Sequence, residues 1–171
     1  MATMVAATAP EDLGHRVLPI DMDLPGEVAA AFLNMVSSGL ADYDGTGWDR
    51  AEPHVQAAHA AAQGVPSLTY VRGAHHLQRF TRRFVMPWEE DFDVLLTATT
   101  SIEPPRSGEV LSAVHASGGA TALPVLQMAV MTSPFNVTGR PAISLPLYQA
   151  PSGLPVGAQL VGEPLAEATL I

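Results

Sequence analysis

Apolar positions recur at helical spacing in three stretches of the chain. Val28, Phe32, Met35 and Val36 predict an amphipathic helix that Asp23 caps ahead of Pro25 and that closes at Gly39. A second, Ala-rich helix is expected from Glu52 to Gln63, with Pro53 tolerated in its first turn and Gly64 as its stop. The third starts near Ser67 and carries Tyr70, Ala74, Leu77, Phe80, Phe84 and Trp88 on one stripe, with Pro87 expected to kink or end it. Shorter runs lack that period. Val94 to Thr97 reads as a buried strand, and Ala142 to Leu147 with Val156 to Val161 as an antiparallel pair joined by a short connection.

The remaining segments read as connections and ends. Leu13, Gly14 and His15 close a short helix, and Val17 to Ile20 suggests an edge strand, since Pro19 cannot donate to a ladder. Residues 41–48 are turn formers. Ala98 to Ser117, rich in Pro, Ser, Thr and Gly, is expected to be a long loop. Ala120 to Met131 reads as a buried helix that Pro134 stops, and Glu163 to Ile171 as the opening turns of a helix. No internal repeat or interior boundary is evident, so residues 1–171 are expected to form one unit.

Composition narrows the function classes. The 171 residues carry a formal charge of −9, which opposes the clustered positive surface that phosphate neutralisation needs, so no nucleic-acid partner is expected. Arg79, Arg82 and Arg83 read as the solvated face of one helix. Charged residues make up only 15% of the chain and hydrophobic ones 47%, which suits faces that pack on something else and equally an Ala-rich soluble domain. The absence of Cys excludes disulfides and thiolate chemistry and fits a reducing cytoplasm. No apolar run is long enough to span a bilayer, and the N-terminal segment lacks the basic region of an export signal.

The chemistry-bearing residues are sparse. His54 and His59 are five apart and diverge on a helix, while His75 and His76 point apart, so neither pair forms an i, i+4 clamp; no metal site and no cofactor is expected. No Gly-x-Ser-x-Gly elbow occurs, and no catalytic residue is assigned. Asn136 and Thr138 sit at a polar turn before a strand and are the candidate substrate-binding residues; turn chemistry, with Gly139 at positive φ, explains the same residues without a substrate.

Three stations resemble the amidase-signature family in order: Glu11 to Val17, Arg83 to Thr97, and Phe135 to Pro146 continued by Gly153 to Val161. The last is the most specific, fixing Asn, Gly and Pro over a long span. The chain looks most like the branch that includes cyclic oligoamide hydrolases. The resemblance implies an α/β fold, of which this would be the C-terminal part, with mixed-sheet strands flanked by helices. It also implies a Ser nucleophile, a relaying second Ser and a neutral Lys as base. Yet all eight basic residues here are Arg, and the one look-alike loop, His115 to Ala120, has a single Ser and reads as a Gly hinge. Ala98 departs from the Pro usual in the family at that point, and the early stop at Ile171 fits truncation.

The leading expectation is therefore a fragment of an amidase acting on a small-molecule carboxamide, with catalysis supplied from outside the chain. The alternatives are an inactive stand-alone remnant that binds a small amide or a protein partner, and complementation by a separately encoded chain. Homo-oligomer formation is left open.

Overall fold

The computed structural model describes residues 2–22, 26–43, 45–117 and 123–171. The chain resolves into two compact units, each discontinuous in sequence: residues 1–23, 83–105 and 127–171 form the first, and 24–82 with 106–126 the second.

The first unit is built on a three-stranded antiparallel sheet, β1 (Leu95–Ala98), β2 (Ala142–Gln149) and β3 (Pro155–Val161), in the order β1-β3-β2. The expected antiparallel pair is thus present, and the strand expected at 94–97 joins it. The period-2 rule assigns the faces, because partners across an antiparallel ladder point the same way. Thr97, Gln159 and Ser144 form one cross-strand row, and Leu95, Val161 and Ala142 another on the same face. The register of β2 slips between Leu145 and Tyr148, where Pro146 has no N–H to give the ladder. The short helix α1 (Ala2–Ala6) packs on the sheet with Ala6 buried, and α2 (Thr8–Asp12) ends before Gly14 at φ +90°. Residues 15–22 form no strand, correcting the reading of Val17 to Ile20: Leu18 and Ile20 are exposed and find no ladder partner among the described residues.

An aromatic cluster fills this unit. Phe84, Trp88 and Phe135 are all buried, with ring centroids 5.9–6.5 Å apart, and Phe92 meets Trp88 edge-on at 4.9 Å. The Trp88 indole N–H donates to the Val161 carbonyl at 3.1 Å, satisfying the one polar atom of an otherwise apolar side chain.

The second unit is helical. It contains α3 (Gly26–Ala41), packed on α4 (Pro53–Gln63), the start of α5 (Ser67–Glu90), and α6 (Glu109–Ser117). Val28, Ala31, Ala62, Leu77, Phe80 and Val114 are its buried apolar residues. The stripe of α5 holds from Leu77 onward, with Leu77, Phe80, Phe84 and Trp88 buried, whereas Tyr70 is exposed. Pro87 lies inside α5 and the helix ends three residues later, with the N–H groups of Asp91 and Phe92 both turning back to the Pro87 carbonyl. The α3 helix runs through Gly39, and the cap expected at Asp23 lies outside the described residues.

Two further expectations are corrected. The stretch 98–117 is not a continuous loop: α6 occupies its second half, with Val114 buried and the Glu109 carboxylate accepting from the Arg106 N–H at 3.1 Å. Pro134 begins a helix rather than stopping one. After α7 (Leu123–Ala129), which has no buried residue, the six-residue α8 (Ser133–Thr138) takes Pro134 in its first turn. The opening helical turns expected from Glu163 to Ile171 are reduced to a single 3-10 turn at Glu167–Leu170.

Candidate functional site

In the first unit the sheet face carrying Thr97, Gln159 and Ser144 opens into a cleft of about 330 Å³, lined by Thr99, Thr132, Phe135, Asn136, Arg140, Ala142, Ile143, Ser144 and Gln159. Three sequence segments supply it: the residue after β1, the α8 turn, and the paired strands β2 and β3.

Gly157 lies on the central strand beneath two of the lining residues. Thr99 and Ser144 approach from either side, and their hydroxyls lie 2.6 Å apart. A Cβ built on Gly157 would sit 2.6 Å from the Thr99 hydroxyl and 2.7 Å from that of Ser144. Only a residue without a side chain lets the two hydroxyls meet over the central strand. Gln159, one pleat further along, is 3% exposed. Its amide nitrogen donates among the Thr97 hydroxyl at 2.9 Å, the Ala98 carbonyl at 3.2 Å and the Met131 carbonyl at 2.8 Å. That amide ties β1 and the segment before α8 to the central strand and so fixes the cleft's walls.

The α8 turn closes one side. Gly139 sits at φ +67°, and this left-handed turn lets the Arg140 N–H return to the Phe135 carbonyl at 3.1 Å. Arg140 is thereby aimed inward. It is 8% exposed, its guanidinium lies 4.6 Å from the centre of the Trp88 ring, and Nη2 donates to the Val85 carbonyl at 3.3 Å.

The two sequence-predicted binding residues part company here. Asn136 is exposed and lines the cleft, with its Nδ2 donating to the Thr132 carbonyl at 3.2 Å. Thr138 is not among the lining residues; its hydroxyl donates back along α8 to the Pro134 carbonyl at 2.9 Å, a local helical bond. Thr99, Arg140, Ser144 and Gln159 were not singled out from the sequence. Gln159 and Ser144 alternate within apolar strands, a pattern that marks inward polar positions only once the face is known.

The lining offers hydroxyls, two carboxamides and one guanidinium beside apolar Phe135, Ala142 and Ile143. It contains no imidazole, carboxylate or primary amine. A hydroxyl facing another hydroxyl has no base to take its proton, so these groups can bind and orient a ligand but do not form a nucleophile and base pair.

In the second unit one titratable cluster stands out among the described residues. One ligand atom each from Glu52, His54 and His115 lies within 4.8 Å of the others. His54 and His115 are separated by 61 positions, so no local spacing could join them. No described helix is long and apolar enough to cross a membrane.

Comparison with known proteins places these features. The amidase family profile matches residues 2–171. The 6-aminohexanoate-cyclic-dimer hydrolase of Pseudomonas sp. (strain NK87) is 35% identical over 127 residues, which is 70% of this chain and 24% of that enzyme. The fatty acid amide hydrolase of Medicago truncatula is 32% identical over 113 residues, which is 66% of this chain and 18% of that enzyme. A solved structure of 6-aminohexanoate cyclic dimer hydrolase with its substrate superposes with a TM-score of 0.79 at 25% identity, covering 99% of this chain and 38% of that one. The chain thus spans between about a fifth and two fifths of the length of these relatives. With the family profile matched along nearly its whole length and the α/β architecture shared with solved members, the chain belongs to the amidase family.

Proposed function

We propose that the cleft forms part of the carboxamide-binding wall of an amidase that hydrolyses non-peptide C–N bonds in the cytoplasm, with a Ser-Ser-Lys triad outside these 171 residues. The carrying observation is chemical: the cleft presents hydrogen-bonding groups suited to an amide beside an apolar surface, while the chain has no Lys to serve as base. A neutral carboxamide needs donors for its carbonyl oxygen and acceptors for its N–H, and Asn136 and Ser144 supply both kinds. Thr138 serves this reading through α8, holding the turn that carries Asn136. The similarity to 6-aminohexanoate-cyclic-dimer hydrolase supports a small, cyclic amide as the first substrate to try.

The test uses a polypeptide that joins this chain to an upstream Gly-Gly-Ser-Ser-type segment carrying Lys. There Asn136→Ala is expected to raise KM roughly tenfold for a cyclic amide with kcat little changed, the signature of lost uniform binding. Unchanged KM in Asn136→Ala and Ser144→Ala alike would remove the cleft from substrate binding.

A further inference from the structure

We propose that Glu52, His54 and His115 form a binding site for a divalent transition-metal ion of the Zn²⁺ type, separate from the cleft and carried by the second unit. Glu52 precedes the first turn of α4, His54 lies in that turn, and His115 lies in the last turn of α6. The Glu52 carboxylate oxygen Oε2 is 3.3 Å from His54 Nδ1 and 3.5 Å from His115 Nε2. Tetrahedral coordination at Zn–N and Zn–O bonds of about 2.0–2.2 Å separates neighbouring ligand atoms by about 3.3–3.6 Å. These two spacings fall in that range, and the third pair, between the imidazole nitrogens, lies within 4.8 Å, so an ion would seat beside the carboxylate as the two imidazoles close on it.

A second observation points the same way. His54 Nδ1 is buried yet has no hydrogen-bond partner among the described residues; the carboxylate approaches it without hydrogen-bond geometry. An unsatisfied buried nitrogen costs free energy that a metal bond would recover. The two imidazole rings are 5.2 Å apart and tilted by 51°, so they are neighbours without stacking. His54 is mostly covered, with 21% of its side chain exposed, whereas Glu52 and His115 are 60% and 53% exposed. The ion would therefore be anchored on one side and open to solvent on the other. Two imidazoles and a carboxylate make a donor set for Zn²⁺ and its neighbours rather than for Ca²⁺ or Mg²⁺, which take oxygen.

The test titrates the chain with Co²⁺, read by visible absorption, and with Zn²⁺ by calorimetry, beside Glu52→Gln, His115→Ala and, as a control on exposed histidine, His75→Ala. The expected result is about one equivalent bound with low-coordinate Co²⁺ bands, weakened roughly tenfold or more in Glu52→Gln and His115→Ala but unchanged in His75→Ala. Zn²⁺ should also raise the thermal midpoint of the parent chain and of His75→Ala, but not of the other two, because an ion that binds only the folded state stabilises it. Glu52 and His115 are exposed, so a drop in the metal-free midpoint is not expected from either change. Absence of binding, or binding that the substitutions leave unaltered, would overturn the site; the latter marks an adventitious ion only. Neither result bears on the amide cleft, whose test reads a different unit.

Discussion

At Gly157 the central strand passes beneath two hydroxyls that leave no room for a side chain. Gly157→Ala must push Thr99 and Ser144 apart and is expected to destabilise the fold by about 1–3 kcal/mol, measured by urea unfolding. Gly139→Ala adds a Cβ at φ +67° with open space around it, so its cost is backbone strain alone, about 1 kcal/mol. A larger loss at Gly139 than at Gly157 would contradict this assignment of causes. Trp88 is 3% exposed and anchors the aromatic cluster, so Trp88→Ala should cost about 3–5 kcal/mol. The positive φ of Gly139 was legible in the sequence, because a polar turn ahead of a strand demands it. The role of Gly157 was not, since it depends on which residues of two other segments flank it. The same reason separates Asn136, marked in the sequence as a polar residue shortly before a strand although it lies within α8, from Gln159, whose bonds reach back to Thr97, Ala98 and Met131.

Among the elements, long apolar periods translated directly into structure. The α4 helix and the three strands lie within a residue or two of their expected positions, and α5 runs three residues past Pro87; burial is clearest on α5, with Leu77, Phe80, Phe84 and Trp88, and on β3, with Val156, Ala158 and Val161. The short elements were hidden. Pro and Ser dominate the composition around residues 98–117, and only the nine residues of α6 at its end have helical spacing. At α8 the signal of Pro134 is two-sided, because Pro suits a first helical turn as well as it ends a helix. Local capping carries α6: Glu109→Ala removes the bond to the Arg106 N–H and is expected to cost about 0.5–1 kcal/mol. Thermal unfolding followed by circular dichroism would measure it, and no change would show that the tertiary contact of Val114 alone sets the helix.

For the whole chain, membership of the amidase family was legible because the Asn, Gly and Pro positions between Phe135 and Val161 are fixed by turn and ladder geometry. The division into two compact units was not, because each unit collects distant segments that no boundary in composition separates. The strands β1 and β2 flank β3, and their outer edges find no ladder partner among the described residues. Exposed apolar residues such as Leu147 and Leu154 lie on or beside β2 and β3. The 171-residue chain is therefore expected to self-associate at rising concentration, measured by light scattering. A monodisperse monomer with one sharp unfolding transition would contradict that expectation. The central claim is that this chain contributes a binding wall while the nucleophile and base lie elsewhere. Its most direct test is amine or ammonia release from small linear and cyclic amides by the purified 171-residue chain. The account predicts no turnover above the uncatalysed rate, whereas turnover abolished by Ser144→Ala would contradict it and place a nucleophile in the cleft.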